Sequence, residues 1–269
     1  MRHFPRHVFL AAGSLLSLLA GAAPPLPAQD GRTLDGIAHV ALRVSDVGKL
    51  RAFYRTLGWE QAFEFSDDKG TATSYVKVSD RQFIELYRKN KPSDALGLMH
   101  ICMQASDLDR VAAAYTALGL APTQPRKAHA GNLLFNLRDP EDQIIEYTQY
   151  LPGSLHSNDH GKHLGEARIS DHMIGVVMTA KDVDAEKAFF IAKLGFSGAG
   201  YRLSVPGNPG ETIELKPWTE GAKPELRFAA DPARAAEELK KRGIEVKVSA
   251  GVAEVRDPDG TAIVFAKEP

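Results

Sequence analysis

The sequence has one cysteine, Cys102, two tryptophans and no surplus of either charge. A single thiol leaves no internal disulfide to form, and Cys102 reads as a residue that simply packs in its strand. No cysteine follows the N-terminal apolar run, which removes a lipid-modified start. Lys plus Arg, 33, nearly cancel Asp plus Glu, 34, so no field of one sign favours a nucleic acid or an anionic membrane. The expected partner is a small molecule, met by a monomer or homodimer. Long apolar runs are scarce too, since the uncharged stretch from Val8 to Ala23 is short for a spanning helix. With Arg2 and Arg6 ahead of it, residues 1–28 read as an export signal with small residues at Gly21, Ala23 and Ala28 near its end. The expectation is a mature chain from about Gln29, periplasmic or secreted, with no stable membrane association.

What the sequence does contain is a repeat. His39, Gly58 and Glu85 are matched by His100, Gly119 and Glu146, with 19 residues from His to Gly and 27 from Gly to Glu in both copies. The segment Ile-Ala-His-Val-Ala-Leu-Arg-Val-Ser-Asp at 37–46 aligns with Leu-Met-His-Ile-Cys-Met-Gln-Ala-Ser-Asp at 98–107. Repeats of this length mark a duplicated structural unit.

Each copy reads β-α-β-β-β. Residues 37–44 alternate, with Val40, Leu42 and Val44 on one face and His39, Ala41 and Arg43 on the other. Asp46 offers a helix cap, Val47, Leu50, Tyr54 and Leu57 recur at helical spacing, and Gly58 stops the helix. Strands are expected near 61–66, 72–78 and 82–88, the last with Phe83, Glu85 and Tyr87 on one face. The second copy predicts a strand at 98–105, a helix capped by Asp107 and stopped by Gly119, and strands near 121–126, 131–137 and 143–149. A worn third copy covers 172–215 and a fourth 225–266, in which Gly175 stands near the His39 position, Val264 replaces Glu146, and Glu214 survives alone. The organisation expected is α+β: modules one and two in a domain at 33–150, a linker at 151–168, and degenerate modules three and four in a domain at 169–268. The linker is polar, and its His156, His160 and His163 are expected in a solvated loop.

Two imidazoles and two carboxylates on the strand faces away from the helices would converge if paired modules curl their sheets into a cup. Such a nitrogen and oxygen set suits one divalent ion of the Fe, Mn, Co, Ni or Zn group, with water completing an octahedron. The candidate metal ligands are His39, Glu85, His100 and Glu146.

The 37–46 start, the Phe-Tyr-Arg-Thr-Leu-Gly-Trp segment at 53–59 and the Asp139-Pro140 to Glu146-Tyr147 ending resemble the vicinal oxygen chelate superfamily, which includes glyoxalase I, extradiol dioxygenases and drug-resistance binding proteins. The resemblance implies a cupped sheet of paired modules with these four residues on the metal, closest to the glyoxalase type. It further implies a Lewis-acid ion on two neighbouring oxygens of a substrate, and a carboxylate, Glu146 or Glu85, moving a proton beside a carbonyl. We favour Glu146. An extradiol dioxygenase would use Fe(II) on His39, His100 and Glu146, but Glu85 and Asn136 stand where that type has a histidine and a tyrosine. A non-catalytic drug binder is the third expectation. Arg43, Phe83, Tyr87 and Gln104 are the candidate substrate contacts on the ligand face.

Overall fold

A computed structural model describes Met1 and residues 30–268. The expected export signal lies almost wholly outside the described residues, among which no helix is long and apolar enough to cross a membrane.

The first module runs β1 (Gly36–Val44), α1 (Val47–Thr56), β2 (Glu60–Asp67), β3 (Gly70–Lys77) and β4 (Phe83–Arg88). The second runs β5 (Gly97–Gln104), α2 (Leu108–Ala117), β6 (Arg126–Lys127), β7 (Leu133–Arg138) and β8 (Ile144–Gln149). Asp46 and Asp107 cap the helices through their carboxylates, which accept from Lys49 N–H and Arg110 N–H. Gly58 and Gly119 end them with φ of +87° and +77°, a region that costs glycine nothing.

These strands form one eight-stranded sheet, ordered β2-β3-β4-β1-β5-β8-β7-β6. Each module pairs its first and last strands in parallel, and the modules meet where β1 and β5 run antiparallel. Modules one and two thus pair within one chain. The strand expected at 121–126 shrinks to Arg126–Lys127, because Pro122 and Pro125 have no N–H to give a ladder.

The connecting segment carries α3 (Leu155–Asn158). It is no free tether. Lys77 lies on the inner face of β3 with its side chain fully buried, and its ammonium donates to the Asp159 carboxylate at 2.8 Å and to the Asp159 and Lys162 carbonyls at 2.6 and 2.8 Å. A buried ammonium must find such partners, so the segment is drawn across the sheet. His160 remains exposed as expected, but His156 is buried.

The second half runs β9 (Met173–Ala180), α4 (Val183–Ala192), β10 (Arg202–Val205), β11 (Asn208–Pro217), β12 (Glu225–Ala229), α5 (Pro232–Lys241), β13 (Lys247–Ser249), β14 (Val252–Arg256) and β15 (Ala262–Ala266). It builds a seven-stranded sheet, ordered β10-β11-β9-β12-β15-β14-β13. The third module is one strand short, with only an isolated bridge between Ser197 and Ser204. Together the sheets give the expected α+β arrangement of paired modules.

The two halves share one apolar core. Trp59 packs 4.4 Å from the Phe228 ring and donates its indole N–H to Ser170 O at 2.7 Å. Glu211, fully buried, accepts the Ile37 N–H and lies 3.1 Å from His172 Nε2. Gly36, at φ +136°, has room only for hydrogen, since a Cβ there would strike that carboxylate.

Candidate metal centre

Four neighbouring strands each supply one of the four residues: Glu85 from β4, His39 from β1, His100 from β5 and Glu146 from β8. The register explains their meeting. Ala41 pairs with both Glu85 and His100, and Cys102 pairs with both His39 and Glu146. Directly paired residues project from the same face of a sheet, so all four side chains rise together around the small side chain of Ala41. This face lies opposite the one that alternation assigns to the apolar core residues Val40, Leu42, Ile84 and Ile101.

His39 Nε2 lies 3.2 Å from His100 Nε2 and 3.4 Å from Glu146 Oε1. His39 Nδ1 is 3.3 Å from Glu85 Oε1, in a geometry too poor for a hydrogen bond, so that nitrogen is buried without a partner. Donor atoms of His39, Glu85 and His100 lie within 4.8 Å of one another, as do those of His39, Cys102 and Glu146. Two ligands on opposite sides of one ion at about 2.1 Å each are about 4.2 Å apart, a span near that of either group, although neither group holds all four residues. Nitrogens that confront each other with the Glu146 carboxylate beside them are what such an ion would satisfy, while Glu85 stands on the other, Nδ1 side of His39.

Electrostatics agree. Burial, and then the Glu146 charge, push Glu85 up to about 7 against the opposing His39 charge. Burial works against a charged His39, yet Glu85 and Glu146 outweigh it and hold its pKa above the usual value. Burial drives His100 down to about 4. Glu146 is held below its usual value, because its His39 contact and the charges of His39 and His100 overcome burial, with help from the Cys102 thiol. Four buried titratable groups thus share a deficit of positive charge.

Residues 36–147 match the Glyoxalase/Bleomycin resistance protein/Dioxygenase superfamily. No curated protein matches the chain. The whole fold is similar to the 2,3-dioxygenase LapB from Pseudomonas sp. KL28, 16% identical with a TM-score of 0.66 over 88% of this chain and 94% of that one. It is similar to the Mn(II)-bound glyoxalase from Novosphingobium aromaticivorans, 19% identical with a TM-score of 0.66 over 87% of this chain and 82% of that one. An extradiol ring-cleaving dioxygenase from B. fuscum is 17% identical, with a TM-score of 0.65 over 91% of this chain and 75% of that one.

Around the candidate metal centre, the four candidate contacts fall in different places. Tyr87 donates its hydroxyl to Glu85 Oε2 at 2.8 Å and so orients a candidate ligand. Phe83 is buried, 5.0 Å from the His156 ring. Gln104 follows Cys102 on the ligand face, with Oε1 buried and unpartnered. Arg43 instead reaches the Ala95 carbonyl at 3.4 Å. Cys102 packs in its strand, its thiol donating to the Met103 carbonyl at 3.8 Å and kept protonated by burial, first, and by the Glu146 and Glu85 charges. Sequence reasoning also passed over Lys77, although the inward alternation Thr73, Tyr75, Lys77 puts a cation on the ligand face.

The second sheet repeats the register without the chemistry. Gly175 stands for His39, Glu214 for Glu85, Glu225 for His100 and Val264 for Glu146. Glu214 is not left alone: Arg227 binds it at 2.6 Å and Glu225 at 2.7 Å, and Lys216 lies 3.2 Å from Glu225. A guanidinium from the chain itself pairs with both carboxylates there.

Proposed function

We propose that the protein is a divalent-metal-dependent lyase or isomerase of the glyoxalase type, holding one ion on His39, Glu85, His100 and Glu146 and acting on a small molecule with two neighbouring oxygens. The placement of these four side chains on one sheet face, from four adjacent strands and in two clusters that share His39, carries the reading. Two modules of one chain complete the set, so no second copy is needed for it. A bound ion of this kind supplies Lewis-acid polarisation of neighbouring substrate oxygens.

The chain's own residues then divide the work. His39 and His100 fix the donor geometry from the sheet centre. Glu85, 4% exposed in its side chain, accepts the Tyr87 hydroxyl at 2.8 Å, which orients it. Glu146, 12% exposed and beside Nε2 of His39 at 3.4 Å, is the carboxylate suited to take a proton beside the substrate carbonyl and return it. The export signal proposed for residues 1–28 would place this chemistry outside the cytoplasm.

One observation favours a second reading. Glu85 stands beside Nδ1 of His39, whereas His100 and Glu146 stand beside Nε2. A carboxylate on the far nitrogen is the usual orienting partner of a metal-bound histidine, which would leave three ligands and an extradiol-type Fe(II) dioxygenase, as the names of similar structures also suggest.

The test is elemental analysis of the chain purified without chelator, beside the His39→Ala, Glu85→Ala and Glu146→Ala variants. A stoichiometric ion lost in all three, with solvent deuterium entering a small α-hydroxyketone next to its carbonyl, supports the four-ligand enzyme. Iron retained in Glu85→Ala, with oxygen uptake on a catechol, moves the assignment to the dioxygenase. No metal in the parent protein refutes both.

A further inference from the structure

His156 is 3% exposed, yet neither ring nitrogen has a hydrogen-bond partner. Buried polar groups are nearly always paired, so such an exception asks for a reason. The ring is not loosely held. It stacks on Tyr150 at 4.3 Å and 9°, and meets Phe83, Phe63 and Tyr75 edge-on at 5.0, 5.1 and 5.6 Å. The backbone is fixed on both sides, by the Ser154 cap of α3 and by the grip of Lys77 on Asp159. Packing therefore sets the plane of the ring while leaving both nitrogens free.

The ring sits over the ligand face. Phe83 is the backbone partner of His39 and stands two residues from Glu85 on the same face. The charges of His39 and Glu146 both act on His156, and burial drives its pKa down to about 3. It is thus a neutral imidazole, with one donor and one acceptor. Two more atoms of this face are buried without partners: Gln104 Oε1, and Oδ1 of Asn136, whose backbone pairs with Glu146.

We propose that His156, carried on the segment between the two sheets, contacts the ligand of the metal centre, its ring nitrogens hydrogen-bonding a small molecule that chelates the ion through two neighbouring oxygens. The rings that hold His156 pack against the apolar body of that molecule. The proposal rests on the metal-centre reading above and deepens it, because it adds an apolar body and a hydrogen-bonding group to the vicinal oxygens as features of the substrate.

The experiment uses the full chain loaded with Mn(II), and 4-nitrocatechol as a chelating probe, titrated anaerobically and followed by its visible absorbance. His156→Phe keeps an aromatic ring and loses the nitrogens, while His156→Gln loses the ring and keeps a donor and an acceptor. The expected result is full manganese content in both variants, binding about tenfold weaker in His156→Phe, the loss of roughly one hydrogen bond, and binding near the parent's in His156→Gln. The opposite ranking, with His156→Phe intact and His156→Gln impaired, would make His156 mere packing and overturn the proposal. Loss of manganese from His156→Phe would make it a metal ligand, and a loaded parent that ignores the probe would remove the contact altogether. A parent protein that takes up no manganese refutes the metal-centre reading itself, and the proposal falls with it.

Discussion

The Nε2 atoms of His39 and His100 face each other at 3.2 Å, from antiparallel strands of two modules. Two nitrogens at right angles on one ion, each about 2.1 Å away, are about 3 Å apart. Backbone register thus holds the pair at the spacing that a shared cation would need.

Metal uptake should depend on pH. Glu85 is pushed up to about 7 chiefly by burial, and His39 is held above its usual value by Glu85 and Glu146 in spite of burial. Both must be deprotonated to ligate, so the ion competes with protons. Affinity should weaken as pH falls below about 7, with protons released on binding. Titration calorimetry in two buffers of different ionisation enthalpy reads that release directly, and equal heats would contradict it.

Ala41 leaves the ligands their space. It is fully buried and pairs with both Glu85 and His100, so Ala41→Leu should put a branched side chain between them. Overpacking of that kind costs about 1–3 kcal/mol. The expected outcome is a folded protein, by circular dichroism, that no longer retains a stoichiometric ion.

Lys77→Met should release the connecting segment. The change takes the ammonium from the Asp159 carboxylate, 7% exposed, and leaves it only His163, a loss that stays below the value of about 3–5 kcal/mol for a buried pair broken outright. Protease cleavage within 151–168 should rise sharply, and Asp159→Asn in the same chain should recover part of the loss. Unchanged cleavage would mean that the segment holds by other contacts.

His172 ties the two halves through Glu211, and that hydrogen bond first, then the Glu268 one, raises its pKa against burial. A histidine raised in the folded state adds stability that is complete below its unfolded pKa of about 6.5 and fades as pH rises through the folded value. Urea midpoints of the parent and His172→Ala should therefore differ more near pH 6 than near pH 9. A gap that is constant across that range would show that the imidazole's charge contributes nothing.

The parts of this protein that were legible in sequence are those with a local or repeated signature. The Asp46 and Asp107 caps, the Gly58 and Gly119 stops and the alternation around His39 and Glu85 act within a few residues. The two prolines that cut β6 short were equally visible, and only their consequence for pairing was misjudged. His156 was not legible, because a polar segment with Pro, Gly and Ser carries no period to reveal what it covers.

By itself, the sequence determined the modules and the four residues that face one another, since strand alternation and a duplicated spacing dictate which side chains share a face. Tertiary structure alone decided how the rest is satisfied. Lys77 meets Asp159 from 82 residues away, Glu211 reaches Ile37 across 174, and Arg227 closes the second site on Glu214. Buried charge and unpaired polar atoms must be compensated by whatever the fold brings near, and that proximity exists only once both sheets have formed.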